Sequence, residues 1–245
     1  MTLDFLGKTS GTWINVATIL VGTGLGLGVR GRLPEKMQQV ITQGVGLTVM
    51  VVGIGMANSL GKVQVGRWDG VILGMVAMVV GGLLGEWWRL EERLEAIGHW
   101  LKRRFKGEGG FTEGFVTASL LFCIGPMAVI GSLSNGLTGD NTVLVLKSAI
   151  DGLAAIALTS SFGIGVGFSS LPILLYQGGL SLTSGLLTLP NPATAPPVIL
   201  ITGVGGLIIV GTGLNLLAVT KIRLASFLPA LAIALMLYWL TDRLT

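Results

Sequence analysis

The sequence predicts an all-α, polytopic helical membrane protein with about eight spans, and three observations carry that reading. Hydrophobic residues make up 51% of the 245 and charged ones only 11%, against roughly 25% charged in an ordinary soluble domain. Glycine occurs 39 times, and in lipid small residues let helix backbones approach closely and gain dispersion contacts. The six Trp and the 16 Lys and Arg residues fall mostly at the edges of apolar runs, where interfacial anchors belong. The net charge of +4 is best read through membrane topology, since no basic face suits nucleic acid.

A bilayer core takes about 20 mainly apolar residues per helix. The first residues (MTLDFLGKTS) lack the basic head and small-residue cleavage site of a signal peptide, so the run from Thr12 to Gly28 is expected to persist as a span. Spans are expected over residues 12–29, 39–58, 69–87, 114–134, 147–165, 167–188, 197–220 and 224–241. Residues 147–188 are too long for one crossing, and Gly163, Gly165 and Gly167 permit a turn or break there. Seven spans is the alternative.

The sizeable polar segment is 88–113. Trp87, Leu90, Leu94, Ile97 and Leu101 recur at helical spacing with Glu91, Glu92, Arg93 and Glu95 between them. Such a helix lies along the inner membrane surface or continues the third span into the cytoplasm, with Lys102, Arg103 and Arg104 near anionic head groups. His99 lies here with no second His or Cys in metal-ligand spacing. Pro190, Pro192, Pro196 and Pro197 predict a stiff connection into the seventh span.

Orientation follows from the basic residues. Arg30, Arg32, Lys36, Arg89, Arg93, Lys102, Arg103, Arg104, Lys106, Lys221 and Arg223 fall on one side, and Lys8, Lys62, Arg67, Lys147 and Arg243 on the other. The first side is expected to face the cytoplasm, which places both termini outside.

Self-comparison indicates an internal repeat. Gly11, Gly22 and Gly28 align with Gly114, Gly125 and Gly131; after a longer loop, Gln43-Gly44 meets Asp151-Gly152, and Trp68-Asp69-Gly70 meets Tyr176-Gln177-Gly178. Units 11–87 and 114–188 would be inverted, an arrangement common in secondary transporters and some channels. The chain is therefore read as one transmembrane domain, residues 1–245, made of these units, the cytoplasmic segment 88–113 and C-terminal helices within 197–241.

Polar groups buried in hydrocarbon cost several kcal/mol unless partnered. Asp151 is expected one turn into the fifth span, with Lys147 four residues earlier on the same face. This is either a structural ion pair or the lining of a solute path. Asn135 and Asp140 are read in the glycine-rich loop before that helix, as a turn or an entry vestibule. Asn15, Gln177 and Asn215 are amides at membrane depth, suited to interhelical hydrogen bonds. Gln177 sits in Tyr176-Gln177-Gly178-Gly179, where a flexible backbone would free carbonyls to meet a cation. Ser119, Cys123, Gly125 and Pro126 form a kinkable stretch, because proline removes one helix hydrogen bond. No Ser-His-Asp set, metal-ligand cluster or phosphate loop is present, so neither enzyme activity nor a cofactor is expected.

Gly11-Thr12…Asn15, the run Glu113 to Met127 (EGFVTASLLFCIGPM), Gly136-Leu137…Gly139-Asp140, Lys147-Ser148…Asp151-Gly152 and Tyr176-Gln177-Gly178 resemble the YdfK/YqgA family of bacterial inner-membrane proteins, domain of unknown function 554. The resemblance covers essentially the whole chain. It implies a bacterial plasma-membrane location and a multi-span helical fold, and brings no substrate. The expected function is a transporter or channel for a small polar solute or ion, with a non-transporting scaffold or partner-binding subunit as the alternative. The expected partners are the lipid bilayer, the solute and further copies of the chain in a homo-oligomer, with no nucleic acid.

Overall fold

The computed structural model describes residues 4–30, 33–184 and 195–243, and it is almost entirely helical. The helices are α1 (Phe5–Arg30), α2 (Glu35–Ala57), α3 (Gly70–Trp87), α4 (Leu90–Arg104), α5 (Phe111–Cys123), α6 (Pro126–Thr138), α7 (Thr142–Phe162), α8 (Ser170–Thr183), α9 (Pro196–Leu216) and α10 (Pro229–Arg243). Short 3₁₀ segments occupy Asn58–Lys62, Ile164–Ser169 and Leu224–Phe227. Among the described residues, six helices are long and apolar enough to cross a membrane, and the pair α5–α6, bent by 60°, makes up to seven. Large apolar side chains such as Val51, Leu83, Leu153 and Leu175 are left exposed along these helices, as lipid-facing surfaces require.

The chain divides into two compact units. The first comprises residues 1–45 and 95–192, and the second 46–94 and 193–245.

In the first unit α1 and α7 run parallel along a seam of glycines. A methyl group at Gly11 would collide with Leu144, one at Gly22 with the Gly152 carbonyl oxygen, and one at Gly26 with Thr159 Cβ at 2.7 Å. Contacts therefore advance along both helices together, and only hydrogen at these positions allows the approach. The bent pair runs the other way. Gly114, near the start of α5, abuts Phe162 at the end of α7, whereas Gly131 on α6 abuts Leu144 near its start. Helix α8 also opposes α1. Gln177 reaches Thr12 and Asn15, and further along Ser181 and Ser184 pack on Gly136 of α6. Phe111, Phe122, Leu133, Leu144, Leu158 and Ile173 fill the interior.

The break expected in 163–167 is present. Helix α7 stops at Gly163, whose φ of 82° and ψ of −160° belong to a region essentially open to glycine alone. The Arg30 guanidinium lies against Gly163 and Gly109, close to the C-terminal end of α7, where a cation is favoured by the helix dipole. The expected boundary at residue 147 moves. Helix α7 begins at Thr142, after a turn in which the Asp140 carboxylate accepts from the Thr142 amide at 2.9 Å and its hydroxyl at 2.6 Å.

In the second unit a two-residue hairpin pairs Gln64 with Asp69 and Val65 with Trp68. Asp69 then caps α3, accepting from the Val71 amide at 2.7 Å. Leu60, Val63, Val65, Leu73, Ala77, Leu200, Val204, Ala230 and Ala234 form the core. Helix α3 packs on α10 through glycine, with Gly81 against Ala230 and Gly85 against Ser226. At one end Arg223 pairs with Glu86 at 2.7 Å and with Glu92, while Glu91 accepts from the Ala225 amide at 2.7 Å. A backbone hydrogen bond, together with the Arg223 guanidinium, holds the Glu92 carboxyl below its usual titration range. Residues 190–194 of the proline-rich connection lie outside the described residues.

Candidate functional site: a polar cluster midway along three helices

Four of the sequence-predicted residues come together in the first unit. Lys147 pairs with Asp151 across one turn of α7. Asn15 Nδ2 of α1 donates to Asp151 Oδ2 at 3.0 Å and to Gln177 Oε1 of α8 at 3.1 Å. Gln177 Nε2 in turn reaches Thr12 Oγ1 of α1 at 3.4 Å. All four are withdrawn from solvent, with Asn15 0%, Gln177 1%, and Lys147 and Asp151 each 6% exposed. Desolvating such charges costs several kcal/mol per ion, offset only by mutual attraction and hydrogen bonds.

The depth of the cluster differs from the expectation. Asp151 is the tenth of 21 residues in α7, so it lies mid-helix rather than one turn from an end. Asn15 is likewise near the middle of the 26-residue α1. The bent pair breaks at Ile124-Gly125, with a 13-residue helix on each side. Cys123 ends the first of these, close enough to Lys147 and Asp151 to feel both charges. Pro126 opens α6 in its first turn, where its missing amide hydrogen removes no helical hydrogen bond. A helix interrupted at mid-depth thus lies beside an ion pair and two amides.

Other expected site residues have different roles. Asn135 is helical, in α6 rather than in the loop, and it is fully buried. Its Nδ2 donates to the Gly7 carbonyl at 3.0 Å and to Ser10 Oγ at 3.1 Å, while its Oδ1 accepts from the Gly11 amide at 3.0 Å. It ties α6 to the start of α1. Asp140 is exposed and bonds Thr142 in the turn that leads into α7. Ser119 Oγ bonds back to the Phe115 carbonyl at 2.6 Å within α5. Asn215 belongs to the second unit, where it exchanges two 2.8 Å hydrogen bonds with Ile222 and closes the loop after α9. Helix α8 runs unbroken through Tyr176-Gln177-Gly178, so the side chain of Gln177, and not a freed backbone, is what the site uses.

The sequence reading missed a set of hydroxyls. Asn15 Oδ1 and the hydroxyls of Thr23, Ser132, Thr159, Ser169 and Ser181 are buried without a hydrogen-bond partner. Thr23 and Thr159 lie toward the Arg30 end of the α1–α7 seam, against Gly167 and Gly26, and Ser181 packs toward the opposite end, against Gly136. Buried polar groups are ordinarily satisfied. Asn15 Oδ1 within the cluster, and Thr23, Thr159 and Ser181 to either side of it, are groups of the kind that water or a polar solute satisfies. The only signal available in the sequence was hydroxyl residues inside otherwise apolar helices.

Fold and site together define a multi-pass helical membrane protein with a buried charged cluster in its first unit. The sequence profile of the family described as "Protein of unknown function (DUF554)" matches residues 10–239, and the chain belongs to that family. It is 30% identical over 223 residues to the "Uncharacterized membrane protein YdfK" of Bacillus subtilis (strain 168), covering 91% of this chain and 93% of the relative. It is 29% identical over 232 residues to the "Uncharacterized protein YqgA" of Escherichia coli (strain K12), covering 92% and 94%. No solved structure matches it.

Proposed function

We propose that the protein is a non-enzymatic transporter or channel that carries a small polar solute or ion through its first unit. The observation that supports this most is the meeting of Lys147, Asp151, Asn15 and Gln177 at the middle of α1, α7 and α8, beside the break in α5–α6. Charges at such depth are costly and typically mark substrate or ion pathways, and interrupted helices at mid-depth supply polar backbone there. The opposed directions of α1 and α5–α6 are the sense that inverted repeat units require. The test is flux into proteoliposomes across a panel of alkali cations, protons and small polar solutes. Wild type should carry at least one of them, and the Lys147→Met/Asp151→Asn double variant should fold and carry none. Equal flux in both proteins would remove the cluster from the path.

The alternative, a non-transporting scaffold, draws on the closely packed glycine seam between α1 and α7. A scaffold would leave the orphaned Asn15 Oδ1 and the five orphaned hydroxyls without a use.

The proposed location is the bacterial plasma membrane, with α4 and its Lys102, Arg103 and Arg104 in the cytoplasm and both termini outside. A topology reporter fused at Gly107 should read cytoplasmic. An external signal at that position would reverse the orientation.

A further inference from the structure

We propose that the cluster is a binding site for a dehydrated monovalent cation, and that the Lys147 ammonium occupies the cation's place in the structure described here. This deepens the transport reading and rests on it. Besides the Lys147 ammonium and the amide N–H groups of Asn15 and Gln177, the cluster carries oxygens. Asp151 Oδ2 and Gln177 Oε1 are drawn together because both accept from the one Asn15 Nδ2. Asn15 Oδ1 is fully buried with no partner, and Thr12 Oγ1 stands beside Gln177. One carboxylate with amide and hydroxyl oxygens is a donor set of hard oxygens, and the single charge of Asp151 matches a monovalent cation.

Charge makes the two occupants exclusive. A second positive charge a few ångströms from the Lys147 ammonium would be repelled by several kcal/mol in so poorly solvated a place. Entry of the cation therefore accompanies loss of one proton from Lys147 to water, and the cluster stays neutral throughout. The other titratable groups near it are few. Asp151 shares α7, Cys123 comes from α5 and Tyr176 from α8. Helix α6 has no titratable side chain, and those of α1 are Lys8 and Arg30 near its ends. A cation that replaces the Lys147 proton one for one gains about tenfold in apparent affinity per pH unit.

The experiment is thermal melting of the purified full chain in detergent, with sodium, lithium or potassium chloride titrated against choline chloride at constant ionic strength, repeated from neutral to moderately alkaline pH. At least one alkali cation should raise the wild-type melting temperature, with a midpoint falling about tenfold per pH unit. In Lys147→Met the same cation should bind without dependence on pH, and in Asp151→Asn the effect should vanish. If Lys147→Met cannot be purified, Lys147→Gln replaces it, and the wild-type series decides alone. The proposal is overturned if no alkali cation stabilises wild type more than choline does, or if stabilisation persists in Asp151→Asn. Uptake of radiolabelled cation into proteoliposomes separates the two readings. Cation-dependent melting without uptake keeps the site and removes transport, whereas uptake of another solute with no cation-dependent melting keeps transport and removes the site.

Discussion

Replacing Lys147 with methionine is expected to destabilise the protein by about 3–5 kcal/mol, the usual cost of stranding one member of a buried ion pair. Asp151 is 6% exposed and, among the described residues, receives the Asn15 amide besides Lys147, so losing Lys147 leaves its charge with one amide donor. Asp151→Asn should cost less, because the amide keeps the hydrogen bonding to Asn15 while the longer Lys147 side chain can turn toward a nearby carbonyl. The double variant should recover most of the loss, giving a coupling energy of roughly 2 kcal/mol or more in a double-mutant cycle. Chemical unfolding of the purified variants measures all three. Additive losses would mean that Lys147 and Asp151 do not act as a pair.

Gly22→Leu should cost about 3 kcal/mol, at the upper end for overpacking a tight interface. Gly22 faces the Gly152 carbonyl oxygen and Ala155 Cβ across the α1–α7 seam, so a side chain there forces the two helices apart. The same change at Gly24, two residues along and with nothing within 4 Å, should stay within about 0.5 kcal/mol. Because the seam holds Asn15 against Asp151, Gly22→Leu should also abolish flux, and Gly24→Leu should not. Equal effects at the two positions would contradict the parallel packing of α1 and α7.

Much of this was legible in the sequence because lipid makes polar residues conspicuous. Asn15, Lys147, Asp151 and Gln177 stand out in apolar runs, and the Lys147–Asp151 spacing declares an ion pair on one helical face. Their meeting was not legible, since Asn15 and Asp151 are 136 positions apart and nothing local encodes which helices touch. Hydropathy also misplaced the start of α7. Asp140, Asn141 and Thr142 read as loop, yet Asp140 bonds Thr142 in a turn and the helix already starts at Thr142. That shift moved Asp151 from near an end to the middle. Asn135 looked like a vestibule residue because Gly136 and Gly139 surround it. In the fold Gly136 is small because Ser181 packs on it, and only Gly139, with φ of 79°, ends the helix. The breaks at Gly125-Pro126 and Gly163 were readable because proline and glycine act locally.

The central claim is that the cluster communicates with water, and Cys123 tests it most directly. It is the single cysteine of the chain, half-buried at the break of α5–α6 beside Lys147 and Asp151, so wild type itself can be labelled without background. A small charged methanethiosulfonate reagent added to protein in liposomes should modify Cys123, and a transported ion or solute should slow the reaction. If Cys123 stays unmodified in the native protein but reacts fully once the chain is unfolded, the cluster is sealed from water and the transport account is wrong.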